Sequence, residues 1–261
     1  MISERARPDA PSNNAAAEKV LRSFNTWAFK REQPENPELM LRFIADAMSL
    51  RGPVKFVLYW GKGPRCELAE PDTQCLNYLT GLARRVRESY EPGAETTLIF
   101  TDTHAKLNGQ RRACVERYFG SVNIEARRSG FRSVWLSELL GADQSGAASE
   151  ETSDAISHDT LQALAKSAVK WFRGEGTPEE GALKYFRMNM VERRAVERSF
   201  ASSIFVTFNG SELRSLFPTQ LPIFYMYSLR RGVSVKPWFL QSGANSCIAI
   251  CEGGVGQTAL L

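Results

Sequence analysis

The sequence predicts an α/β fold, a parallel or mixed sheet flanked by helices, with a strand-rich C-terminal third that completes the sheet. Three observations carry this reading. The buried apolar runs VKFVLYW (54–60) and ETTLIFTD (95–102) are each flanked by stretches whose apolar residues recur at helical spacing. Such alternation of strand and helix argues for a doubly wound parallel sheet. Two further apolar runs, IFVTFNG (204–210) and LPIFYMYSL (221–229), follow a long charged helical pattern.

The elements follow in order. Helical periodicity over 15–29 places Val20, Phe24 and Trp27 on one face, and a second amphipathic helix over 38–49 turns Leu39, Leu41, Phe43, Ile44 and Met48 inward. After the first strand comes a glycine-bracketed turn with Lys62 and Arg65, then a helix over 72–90 with Asp72 as its N-cap. Pro92-Gly93 breaks the chain before the second strand. A helix over 109–119 and a short run at 134–140 come next. A further helix spans 159–172, capped by Ser157 or Asp159, and the turn GEGTPEEG separates it from ALKYFRMNMVERRAVERSFASS (182–203). The last segments are VSVKPWFL and CIAICEGG.

With 261 residues, 43% of them hydrophobic, the chain is long enough to bury a sizeable core as one elaborated domain. Residues 1–14 are expected as a disordered lead and 15–261 as a single α/β domain, with a flexible loop near 141–157. The net charge of +4 is spread and interleaved with acids, so it argues for a local anion site rather than a nucleic-acid partner. The sequence contains no apolar run of about 18 residues, so no membrane span is expected. Its N-terminus lacks the apolar core of a signal peptide. The five cysteines (66, 75, 114, 247 and 251) include no C-x-x-C pair, so neither a zinc site nor a disulfide framework is expected, and a reduced, cytoplasmic protein is.

Ligands in open α/β sheets bind beyond the carboxyl ends of strands. Lys62 and Arg65 occupy such an end, and an ammonium and a guanidinium there suit a phosphate or carboxylate. Asp102 and His104 occupy another, where an Asp–His pair moves protons near neutral pH; the competing reading makes Asp102 a helix cap and His104 a loop residue. Arg187, Arg194 and Arg198 share a helical face, read as solvated and laced with Glu192 and Glu197, with an arginine reaching the cleft as the alternative. YMYSLRRGVSVKPWF (225–239) combines aromatic and basic groups, including Tyr225, Arg230 and Trp238, that hold an aromatic or amino-acid substrate. The alternative there is an edge hairpin. GGVGQT (253–258) is not a P-loop, because Gln257 replaces the lysine and no following helix remains. With His158 as the only other histidine, a site of several histidines around a metal is not expected.

The order of these blocks resembles the isocyanide (isonitrile) synthase family, the pyoverdine/dityrosine biosynthesis enzymes, over about 20–238. The matching pieces are FKR (29–31), the PVKFVL strand followed by Lys62, EPD (70–72), YEPGA (90–94), Thr101-Asp102, ERRAVERSFASS (192–203), and LPIFYMYS followed by Lys236-Pro237-Trp238. The resemblance implies a Rossmann-like fold. It further implies a metal-free condensation, without cofactor, of an amino acid's amino group with ribulose 5-phosphate, whose carbonyl carbon becomes the isonitrile carbon. On it, Lys62 meets the sugar phosphate or its carbonyl, Asp102 faces the reacting centre, and Ser228 with Lys236 and Trp238 lines the far side of the pocket. The expected partners are therefore small molecules, with Lys62, Asp102 and His104 catalytic and Arg65, Arg194, Tyr225, Ser228, Arg230, Lys236 and Trp238 binding substrate. A non-catalytic member that kept the fold and its anion pocket is the alternative, supported by Cys75 standing where the family's P-D-x-x-E step has its acid. A nucleic-acid-associated protein using the arginine helix is a third reading.

Overall fold

The N-terminal helix α1 (Ala10–Phe24) and α2 (Pro37–Ser49) precede the first strand, β1 (Val54–Trp60), in a computed structural model that describes residues 10–61, 65–144, 156–208, 211 and 217–226. The chain continues through α3 (Glu70–Ser89), β2 (Ala94–Phe100), the short α4 (Asp102–Leu107), α5 (Arg112–Arg128), β3 (Arg132–Trp135) and α6 (Leu136–Gln144). Then come α7 (His158–Trp171), α8 (Pro178–Ser199), β4 (Ile204–Thr207) and β5 (Ile223–Tyr225).

Among the described residues the five strands form one sheet in the order β3-β2-β1-β4-β5, and every pairing is parallel. The register sets Trp60 beside Phe100 and Phe56 beside Ile204. Alternation along the strands sorts the core into two faces. Phe56, Leu58, Leu98, Phe100, Val206 and Phe224 pack against α1, α2, α3 and α5. Val57, Ile99, Phe205, Ile223 and Tyr225 pack against α6 and α8 through Leu136 and Val196. A strand buried on both faces reads as a continuous apolar run, which is why VKFVLYW and LIF were legible.

The exposed edge of β5 is covered by residues 30–35, which run antiparallel to it. Arg31 and Glu35 donate their N–H groups to the carbonyls of Tyr225 (2.8 Å) and Ile223 (2.9 Å), and Tyr225 Oη donates to Glu35 Oε2 at 2.6 Å. The cover satisfies backbone groups that would otherwise invite pairing with another chain.

Several expectations are corrected in detail. The first helix begins at Ala10, inside the stretch read as a lead, and ends at Phe24. Trp27 therefore leaves the helical face and is 71% exposed, with Lys30 Nζ 4.7 Å from its ring centroid. On α2 the most deeply buried side chains are Met40 and Ile44. In α3 the N-cap is Ala69, and Asp72 lies three residues inside, its carboxylate accepting from the Ala69 N–H at 2.9 Å. The helix read over 109–119 runs instead from Arg112 to Arg128. Ser157 caps α7 by accepting from Thr160 N at 3.2 Å, and His158, one residue before the expected start, is that helix's first residue.

Candidate active site

The sheet order places the topological switch between β1 and β4. The connection leaving β1 runs through α3 on one face, whereas the one entering β4 runs through α8 on the other. A crevice outside the carboxyl ends of these strands is where doubly wound sheets bind ligands. Between the sheet and α8 lies a small cleft lined by Tyr59 near the end of β1, Phe205 of β4, Phe217 and Thr219, and Asn189, Arg193 and Val196 of α8.

Next to it, the carboxyl end of β2 feeds directly into α4. Its first turn carries Asp102, Thr103 and His104. Thr101 fixes the entry, its N–H and hydroxyl both donating to the Trp60 carbonyl (3.2 and 3.3 Å). His104 is buried, and its Nε2 lies 2.6 Å from Glu192 Oε2. Thr103 Oγ1 donates to the other oxygen, Glu192 Oε1, at 2.5 Å. Glu192 is 0% exposed. A carboxylate shut away from water is tolerated only with such partners. Against an oxygen of a carboxylate, which only accepts, Nε2 is the ring nitrogen that donates. Tyr185, seven residues before Glu192 and on the same face of α8, meets the imidazole edge-to-face at 5.4 Å, and the Tyr59 ring lies 6.4 Å from it.

Asp102 turns away from this pair. Its Oδ1 accepts from the Ser137 N–H at 3.1 Å, at the start of α6, where an anion satisfies an orphan donor. The expected Asp–His pairing is thus replaced by Glu192–His104, with Asp102 a bond to a neighbouring helix. Glu192 was read as part of a solvated charged face, and the structure corrects this. It falls in the stripe of Tyr185, Ala195 and Val196, which faces the sheet and α4. The missed signal was a carboxylate at helical spacing within an apolar stripe.

A second polar group sits under the turn after β1. Asp72 Oδ1 accepts from Arg65 Nη2 (2.7 Å) and from Tyr118 Oη (3.0 Å), and Tyr118 Oη accepts from Trp60 Nε1 (3.2 Å). Burial pushes the Asp72 carboxyl above its ordinary value, opposed by the Ala69 N–H, the Arg65 charge and the Tyr118 hydroxyl. Burial, then the Asp72 charge, pushes the Tyr118 phenol and the Cys75 thiol up as well. Cys75 is accordingly a protonated core thiol rather than a nucleophile. Arg65 keeps one buried donor, Nε, without a hydrogen-bond partner among the described residues.

Cys66 and Cys114 form a disulfide across 48 positions, correcting the expectation of reduced cysteines only. Scattered cysteines with no short spacing give no sequence cue to a pairing that the segment beginning at Arg65 and the start of α5 create in space.

Of the remaining candidates, Tyr225 is buried and bonded to Glu35, and Arg194 is half-buried on α8, while Arg187 and Arg198 are exposed. Arg193 Nη1 donates to the Pro218 carbonyl, and Glu197 accepts from Thr219 and Gln220, so this part of α8 is fastened to the segment before β5. Lys62, Ser228, Arg230, Lys236 and Trp238 lie outside the described residues, as do Cys247, Cys251 and GGVGQT. Among the described residues no group of three side chains is gathered to hold a metal, and no helix is long and apolar enough to cross a membrane.

Strand order, parallel pairing and a polar site at the carboxyl edge define a Rossmann-like α/β protein. No family model matches the chain, and no curated protein matches it in sequence. Among solved structures it is similar to the PvcA protein from Pseudomonas aeruginosa, with 16% identity and a TM-score of 0.60, covering 86% of this chain and 87% of that one. A tyrosyl-tRNA synthetase from Pyrococcus horikoshii, complexed with L-tyrosine, aligns at 11% identity and a TM-score of 0.47, over 77% of this chain and 52% of that one. The likeness to PvcA establishes a shared fold.

Proposed function

We propose that the chain is an enzyme of isonitrile-synthase type that condenses an amino acid's amino group with ribulose 5-phosphate. The observation that carries the proposal is the buried Glu192–His104 pair at the carboxyl edge, beside the crevice where this class of sheet binds ligands. The fold-level likeness to PvcA, over most of both chains, supports it.

Attack of an amine on a ketone carbonyl forms a carbinolamine, which must lose water. One proton leaves nitrogen and another goes to the departing hydroxyl, so the step needs a group able to hold and return a proton. His104, oriented by Glu192, fills that role in this proposal. Arg65, with its remaining Nε donor, and Lys62 hold the sugar phosphate. The anion-binding, non-catalytic reading is favoured by one observation, the buried neutral thiol of Cys75 where an acid is expected.

The test is incubation with labelled ribulose 5-phosphate and a panel of amino acids, followed by mass spectrometry. Labelled isonitrile that disappears in His104→Asn and Lys62→Ala supports the enzyme. Retained sugar-phosphate binding with no product from any amino acid selects the non-catalytic reading.

A further inference from the structure

The segment after β1 is fastened to α5 at successive heights. Cys66 is bonded to Cys114, and one helical turn further along α5 Tyr118 donates to Asp72, the same carboxylate that pairs with Arg65. Arg117 reaches Glu67 at 3.9 Å, but both of these side chains are largely exposed and hold little. The Arg65 side chain is itself 38% exposed. The one covalent tie between residues 65–67 and α5 is therefore the disulfide, and its two cysteines are only half-buried, within reach of a thiol reagent.

We propose that the Cys66–Cys114 pair is a thiol–disulfide exchange site whose redox state sets whether residues 65–67, with Arg65, are held in place at the carboxyl end of β1. The partner is a dithiol reductant. Its thiolate attacks one sulfur of the pair, a mixed disulfide forms, and the other cysteine leaves as a thiolate. The reductant's second thiol then resolves the mixed disulfide. Two electrons and two protons have passed to Cys66 and Cys114, and the reductant has become a disulfide. In the oxidised protein Arg65 is covalently neighboured on Cys66 and steadied on Asp72. In the reduced protein Arg65 keeps its partly exposed ion pair with Asp72 and Ala69 its N–H bond to the same carboxylate, and no covalent tie to α5 remains. Cys75, buried among apolar side chains with its thiol held protonated, is not a competing nucleophile. The inference does not depend on which small molecule the crevice takes.

The experiment uses the full chain carrying Cys247→Ser and Cys251→Ser, equilibrated with oxidised glutathione or with dithiothreitol, and reads trypsin cleavage after Arg65 by mass spectrometry. Cleavage after Arg194, half-buried within α8, reports global opening. On reduction, cleavage after Arg65 should rise at least about tenfold and outpace cleavage after Arg194, whose own rise measures the global stability lost with the disulfide, because local opening exposes only the segment whose tie is lost. Cys66→Ser/Cys114→Ser should show the fast rate in both buffers. Three results overturn the proposal: equal rates after Arg65 in the two buffers, cleavage after Arg65 no faster than after Arg194 in dithiothreitol, or free thiols at Cys66 and Cys114 in oxidised glutathione.

Discussion

His104 Nε2 stands 2.6 Å from Glu192 Oε2, the two residues lying 88 positions apart in the chain and both shut away from solvent. The contact joins the first turn of α4 to the middle of α8, and so ties the carboxyl end of β2 to the helix that precedes β4.

Removing that carboxylate leaves Thr103 and His104 facing an apolar void. Glu192→Ala should therefore cost about 3 kcal/mol, as for a buried pair losing one member. Glu192→Gln, which keeps the shape and an acceptor, should cost less. Urea unfolding midpoints measure both. NMR of the two histidines adds a local readout, in which the His104 ring signals move and those of His158 do not. An Ala variant within about 0.5 kcal/mol of wild type would sink the idea that the pair is held by necessity.

Asp72 gives a pH dependence of known sign. Its carboxyl is raised above the ordinary value of 3.8, chiefly by burial, so the folded chain holds the proton more tightly than the unfolded one. The resulting cost is absent below the unfolded value and grows as pH rises through the folded one. Relative to Asp72→Asn, the wild type should lose stability as pH is raised from about 3.5 towards neutrality. A difference that is flat with pH, or that shrinks, contradicts this assignment.

The disulfide closes a loop of 48 positions. The chain-entropy relation then assigns it about 4 kcal/mol, through restriction of the unfolded ensemble. Calorimetry of wild type with and without dithiothreitol, beside the Cys66→Ser/Cys114→Ser variant, measures this. A melting temperature indifferent to reductant would show that the tie does not constrain the unfolded chain.

Tyr225→Phe deletes the hydroxyl that donates to Glu35. The loss should be about 1 kcal/mol. Its local mark is faster hydrogen exchange at the Arg31 and Glu35 amides, which donate to the β5 carbonyls. Unchanged exchange at those two amides would mean that residues 30–35 are held by their backbone bonds alone.

The sequence revealed the two-sided burial of VKFVLYW and LIF, and with it the parallel sheet, because burial on both faces leaves an apolar run that no solvated strand carries. It also placed Arg65, Asp102 and His104 just beyond the carboxyl ends of such runs, which is where the structure has them. Partner identity was not legible. Asp102 is two residues from His104 in the chain, yet the carboxylate that reaches the imidazole is Glu192, brought in by the packing of α8. Glu192 sits among Arg193, Arg194 and Glu197, so local composition argued for water and the helical phase alone argued for burial. Cys66 and Cys114 were illegible for the same reason, since their meeting depends on how the segment beginning at Arg65 packs against the start of α5.

The antiparallel cover over β5 has a consequence for how the chain comes off the ribosome. Glu35 meets Tyr225, made 190 positions later. At about 5–20 residues per second the cover waits roughly 10–40 s for the strand it protects. β1 likewise waits for β4. During synthesis the first helices and the central strand therefore present unmatched edges and apolar faces until the last described strand emerges.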